Sequence, residues 1–160
     1  VTTMEIREAN ETELQLLRMQ QQVKDIAREK HKEVIGIEQT AGEEWVIVSK
    51  KEEGSTLQFM INDCTSPYRG SWDFALQVEY KDSHHLFIGD IKGEPCRGFG
   101  SICMEYLKET AWSNNCKITG DLAKRDWGHL DRLTHFYKKH SFSVFVDETE
   151  KAGQVYWTGM

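Results

Sequence analysis

The stretch PCRGFGSICMEYL, residues 95–107, carries two glycines one residue apart, behind an arginine and directly ahead of an amphipathic run. Gly98 and Gly100 permit a tight turn, because glycine alone enters positive φ without steric cost. Ile102, Met104, Tyr106 and Leu107 give residues 98–113 a mostly apolar face, which predicts a helix there. A helix start presents unpaired N–H groups and a partial positive charge, so it attracts an anion. Two phosphate motifs are excluded by the residues. A Walker A loop needs Lys and then Ser or Thr after its last glycine, where Ser101 and Ile102 stand. A dinucleotide fingerprint needs a third glycine at the place of Cys103. What survives is a short loop whose amides face a helix start, with Arg97 at its rim able to pair with phosphate oxygens.

Upstream of the loop, EWVIVSK, STLQFMIN, WDFALQVEY and HHLFIGDI are four short runs rich in β-branched and aromatic residues. KEEGS and YKDS separate them as hairpin turns do, while DCTSPYRGS is a longer loop. This middle third reads as an antiparallel meander. Downstream, CKITGDL reads as a strand and WGHLDRLTHFYKKH as a helix, with Leu130, Leu133, Phe136 and Tyr137 at helical spacing. SFSVFVDE and QVYWTG close the chain as two strands with a turn at 151–153. At the other end MEIREA alternates like a short strand, Met4 and Ile6 sharing a face. From about Asn10 the pattern turns helical, with Leu16, Met19, Val23 and Ile26 three and four apart; Asn10 is the predicted N-cap and Glu13 its capping-box partner. The order strand, helix, four strands, helix, strand, helix, two strands predicts a mixed α/β (α+β) domain. Helices flank a twisted, largely antiparallel sheet of about six to seven strands.

The 160 residues suit one domain over 1–160. Hydrophobic residues at 39% and charged residues at 29% exclude a disordered composition. A formal charge of −6 supplies no basic field to gather nucleic acid, and Asp121, Asp126 and Asp131 dilute the small basic clusters KRDW and KKH. No apolar run approaches the roughly 20 residues that cross a bilayer, and VTTMEIREANETELQ lacks the basic-then-apolar pattern of a signal peptide. A cytoplasmic protein that binds neither membrane nor nucleic acid is expected. Cys64, Cys96, Cys103 and Cys116 form no C-x-x-C pair, so reduced thiols and no metal are expected. His84 and His85 are adjacent on a strand, point to opposite faces, and read as surface or hairpin residues.

Three pieces of the chain resemble the GNAT superfamily of acetyl-coenzyme A-dependent N-acyltransferases. MEIREANETEL (4–14) resembles the family's opening strand and helix, RGFGSICMEYLKETA (97–111) its pyrophosphate loop and following helix, and HFYKKHSFSV (135–144) its late Phe-Tyr element. The resemblance implies the GNAT fold, acetyl-CoA as acyl donor without a metal, and direct attack of a primary amine on the thioester. The amine would belong to a small molecule or a protein. It implies that Arg97, Gly98, Phe99, Gly100 and Ser101 hold the cofactor and that a backbone amide near Ile91 stabilises the oxyanion. Tyr137 would give a proton to the departing thiolate. Asp90 is the best-placed base, with Glu79 and Asp121 behind it, and Trp127 with RDWGHLDR lies where the acceptor approaches. Pro95 stands where the family places Gln or Arg, Leu130 where Asn is frequent, and Ser141 where glycine is common. The alternative is a non-catalytic acyl-CoA-binding or partner-binding module of the same fold using its N-terminal helix. That helix also offers a surface for a homodimer.

Overall fold

The N-terminal third departs from the expected strand-then-helix order. In the computed structural model, which describes residues 2–65, 67–95 and 97–159 (without the side chains of residues 8 and 9), the chain opens with helix α1 (Thr3–Ala27). Thr2 is its N-cap: the hydroxyl accepts the Glu5 N–H at 3.2 Å, and the Glu5 carboxylate accepts the Thr2 N–H at 3.0 Å. This capping box outweighs the short Met4/Ile6 alternation. The helix satisfies its own backbone, whereas a strand would need a neighbour. Met4 and Ile6 are left 70% and 52% exposed, and Asn10 lies inside the helix instead of capping it. The stretch expected to resemble an opening strand and helix is therefore helix throughout.

The strand comes afterwards. KEVIGIEQ forms β1 (Lys32–Gln39), followed by β2 (Trp45–Glu53), β3 (Thr56–Asp63), β4 (Phe74–Asp82) and β5 (His85–Gly93). The last four match the meander read from the runs rich in β-branched and aromatic residues. Helix α2 (Phe99–Ser113) follows, then β6 (Lys117–Leu122), a 3-10 helix (Lys124–His129), α3 (Leu130–Lys139), β7 (Ser143–Asp147) and β8 (Ala152–Trp157). The predicted 127–140 helix thus divides in two, its first part wound tighter and anchored by the Asp126 carboxylate, which accepts the Ala123 N–H at 2.7 Å. The final turn falls before Ala152, slightly earlier than expected. Among the described residues the strands form one eight-stranded sheet, ordered β1-β2-β3-β4-β5-β6-β8-β7, in which only β5 and β6 pair in parallel.

Helices cover both faces. Met19, Val23 and Ile26 of α1 pack with Ile47, Cys64 and Val34 on one face. Cys103, Met104 and Leu107 of α2, with Tyr137 of α3, pack on the other against Val48, Phe59 and Leu76. Neighbouring residues of β1 serve opposite cores, Val34 packing on the α1 side and Ile35 on the α2 side, as alternation along a strand requires; Ile35 is also the extra residue of a bulge. Gly36 follows because a Cβ there would sit 2.0 Å from the Tyr106 hydroxyl, which crosses from α2 to donate to Glu38 at 2.6 Å. Cys64, Cys103 and Cys116 are buried and unpaired; burial pushes the Cys64 thiol up to about 11. No helix among the described residues is long and apolar enough to cross a membrane.

Candidate functional site

β5 and β6 run side by side for four residues, from His85↔Lys117 to Ile88↔Gly120, and no further pairs form. β5 continues to Gly93 and β6 to Leu122, so the two strands part in the middle of the sheet. At the point of parting β5 bulges. Gln77 pairs with Asp90 and Val78 with Ile88, which leaves Gly89 as the extra residue. Plain alternation would put Leu86, Ile88 and Asp90 on the core face. The bulge shifts the register by one, so Ile91 packs on the core and Asp90 turns outward. The Asp90 carboxylate then lies 3.3 Å from the Lys92 ammonium and is 39% exposed.

β5 leads to the glycine turn. Gly98 is the N-cap of α2 with φ +80, a conformation that a side chain makes strained. No side chain among the described residues caps this helix start, so its first amides are open to an acceptor from outside. Phe99 is buried and meets Phe74 edge-on at 6.4 Å. Gly100 has a packing reason for its size: a Cβ would stand 3.2 Å from the Phe136 ring and 3.4 Å from that of Phe74. Arg97 is committed within the protein. It bonds the Glu44 carboxylate, lies 3.3 Å from Asp63 and 3.5 Å from Glu94, and stacks 4.5 Å from the Phe99 ring centre. The bond to Glu44 is the main reason its guanidinium holds its proton more firmly than usual. A phosphate contact from Arg97 requires exchange of one of these carboxylates. Pro95 is exposed in the turn ahead of it.

Tyr137 sits on α3, 4% exposed, with Phe136 edge-on at 5.5 Å and Phe142 at 5.3 Å. Its hydroxyl has no hydrogen-bond partner among the described residues. Burial, with the Asp126 charge behind it, holds the phenol well above its ordinary pKa, so the group is a neutral donor at pH 7. Phe136 links this helix to the turn through Gly100.

A second link was not visible in the sequence. His140, the C-cap of α3 and 5% exposed, places Nε2 3.0 Å from Ser101 Oγ and Nδ1 3.2 Å from Glu105 Oε1. Ser101 and Glu105 are four apart on α2, a spacing that signals a shared helix face, but nothing local brings His140 to them. Two clefts lie farther out. One, of about 680 Å³, opens where β6 ends and is lined by Asp121, Lys124, Phe145 and Glu150. The other, of about 390 Å³, is lined by Trp127 and residues 128–132. Glu79 lies outside both, ion-paired to Lys81 at 3.5 Å. His84 is exposed, and His85 bonds Thr119 at 2.6 Å.

This mixed α/β fold, an open and mostly antiparallel sheet flanked by helices, matches that of a known N-acetyltransferase. The chain is similar to the crystal structure of the Campylobacter jejuni N-acetyltransferase PseH, with a TM-score of 0.50, 15% identity, and 68% of this chain and 71% of that one covered. The same enzyme in complex with acetyl coenzyme A aligns with a TM-score of 0.49 at the same identity and coverage. The chain belongs to the family of YocC, an uncharacterized protein of Bacillus subtilis (strain 168): the two are 47% identical over 154 residues, covering 96% of this chain and 92% of the relative. No family model matches the chain.

Proposed function

We propose that the chain is an N-acyltransferase that moves the acyl group of acetyl-CoA to a primary amine. The parting of β5 from β6, directly ahead of a helix start without a side-chain cap, carries this reading. A strand edge without a partner offers backbone groups to an extended ligand arm, and the open amides suit the diphosphate at its end. Gly98, Phe99, Gly100 and Ser101 supply those amides, with Arg97 at the rim and Ile91 on the strand below. The fold shared with an N-acetyltransferase supports the reading, although one fold serves many chemistries.

In the reaction a neutral amine attacks the thioester carbonyl carbon and forms a tetrahedral oxyanion. A backbone N–H at the β5 bulge between Gly89 and Ile91 donates to that oxyanion. The C–S bond then breaks, and Tyr137 gives its proton to the thiolate and regains one from solvent. Asp90, directly or through water, receives the proton lost by the amine. The acceptor approaches from the Asp121 or Trp127 cleft.

Calorimetric titration with acetyl-CoA tests the cofactor step; no binding of acetyl-CoA or CoA overturns it. Gly98→Asn and Gly98→Asp both meet positive φ, and Asn and Asp tolerate it best among side chains. The charged variant should bind at least about tenfold more weakly than the neutral one, about 1.4 kcal/mol. Equal affinities would mean that no anion lies at this turn. Thiol release across a panel of amine classes tests transfer. The second reading, a non-catalytic acyl-CoA-binding module, is favoured by the engagement of Arg97 and Asp90 with other side chains. Binding without thiol release for any amine selects it.

A further inference from the structure

His140 is a buried titratable group for which acyl transfer, as described above, has no use. Its surroundings dictate its hydrogens. An ionised carboxylate only accepts, so Nδ1, which faces Glu105 at 3.2 Å, carries a hydrogen. In the neutral ring Nε2 is then a lone pair, and the Ser101 hydroxyl 3.0 Å away must give its hydrogen to it. Ser101 is thereby left with only lone pairs to show an incoming anion. In the charged ring Nε2–H donates to Ser101 Oγ, and the hydroxyl hydrogen is free to swing toward a phosphate oxygen.

We propose that His140 is a positioning residue for the diphosphate at the start of α2, and that binding of the diphosphate draws one proton from solvent onto its Nε2. The proposal rests on the cofactor reading given above. The neighbouring charges divide. Glu105 on α2 favours the imidazolium, as do the carbonyls at the end of α3, while Lys108 on α2 and Lys139 on α3 oppose it. Burial, the largest influence, holds the ring below the ordinary imidazole value, so it is neutral at pH 7 before binding. Linkage is reciprocal: if the anion favours the charged ring, the charged ring favours the anion. Affinity must then rise as pH falls from 8 to 6.

The probe is acetyl-CoA lacking its 3′-phosphate, because that monoester titrates near about 6 and would blur the result. Calorimetry in two buffers of different ionisation heat counts the protons bound. The expected result is uptake that peaks at about a third to a half of a proton per site, because the free ring already holds part of that proton at the acid end, with binding roughly three- to tenfold tighter at pH 6 than at pH 8. Ser101→Ala, half-buried and mild, should remove the uptake and bring affinity at pH 6 down to the pH 8 level. His140→Gln offers an amide N–H that does not titrate, and its binding should be independent of pH. If the wild type binds equally at both pH values without proton uptake, His140 only ties α3 to α2, and the cofactor reading stands. If neither acetyl-CoA nor the probe binds at any pH, the cofactor reading falls and this proposal falls with it.

Discussion

At the scale of single residues, Tyr137 separates packing from chemistry. Its ring is held edge-on between Phe136 and Phe142, while its hydroxyl has no hydrogen-bond partner among the described residues. Tyr137→Phe keeps the ring and deletes only that hydroxyl, so the thermal transition should stay within about 2 °C. If the hydroxyl protonates the thiolate, turnover should fall about 10²-fold with the acetyl-CoA Kd unchanged; full turnover in a thiol-release assay would dismiss it as the acid. Gly98 and Gly100 look alike in the sequence and differ in the fold. Gly98 is required by its φ of +80, and Gly100 by the rings of Phe136 and Phe74. A sequence exposes the glycines, but the atoms that a Cβ would strike come from other elements.

At the scale of elements, the glycine turn is moored to the meander through Arg97. Burial pushes the Asp63 carboxyl up, but hydrogen bonds from Thr65 and the Arg97 guanidinium outweigh it and hold the carboxyl below the usual range. A carboxyl held lower in the folded than in the unfolded chain stabilises the fold above the unfolded value of about 3.9. That stabilisation is lost as pH falls through the folded value. Asp63→Asn should therefore cost about 1 kcal/mol at pH 7. The cost should shrink as pH falls below the unfolded value and disappear once it is below the folded one, as denaturant melts at pH 7 and in acid would show; an equal cost at both would place Asp63 outside this linkage. The strands β2 to β5 were legible because each is rich in β-branched and aromatic residues and lies between turn-forming stretches. β1 was not, since its bulge at Ile35 breaks the alternation that marks a strand. The bulge at Gly89 had the same effect on Asp90 and Ile91, exchanging the faces that simple alternation assigns.

At the scale of the whole molecule, α1 is half anchored and half free. Ile26 is fully buried and Met19 is 8% exposed, whereas Leu14, Leu16 and Leu17 are each more than half exposed. Ile26→Ala should cost about 2–5 kcal/mol through lost burial and the cavity it leaves. A joint Leu14→Glu and Leu17→Glu change should leave the thermal transition in place. A fall in that transition, lessened by dilution of the wild type, would mean that a second copy covers this half of the helix. The N-terminal helix of the partner-binding alternative is thus divided between its own sheet and an outward apolar face.

The sequence by itself determined what depends on neighbours along the chain: the meander, the turn before α2, the face of α2 and the closing hairpin. Periodicity and turn chemistry act within a few residues, and they point the same way here. Only the tertiary structure decided that β5 and β6 part after Ile88, and that Arg97 is met by Glu44 and Asp63. It alone brought His140 to Ser101, 39 residues away along the chain. Such contacts arise where α3 folds back onto α2 above a shared sheet, and no local pattern encodes the distance between two helices.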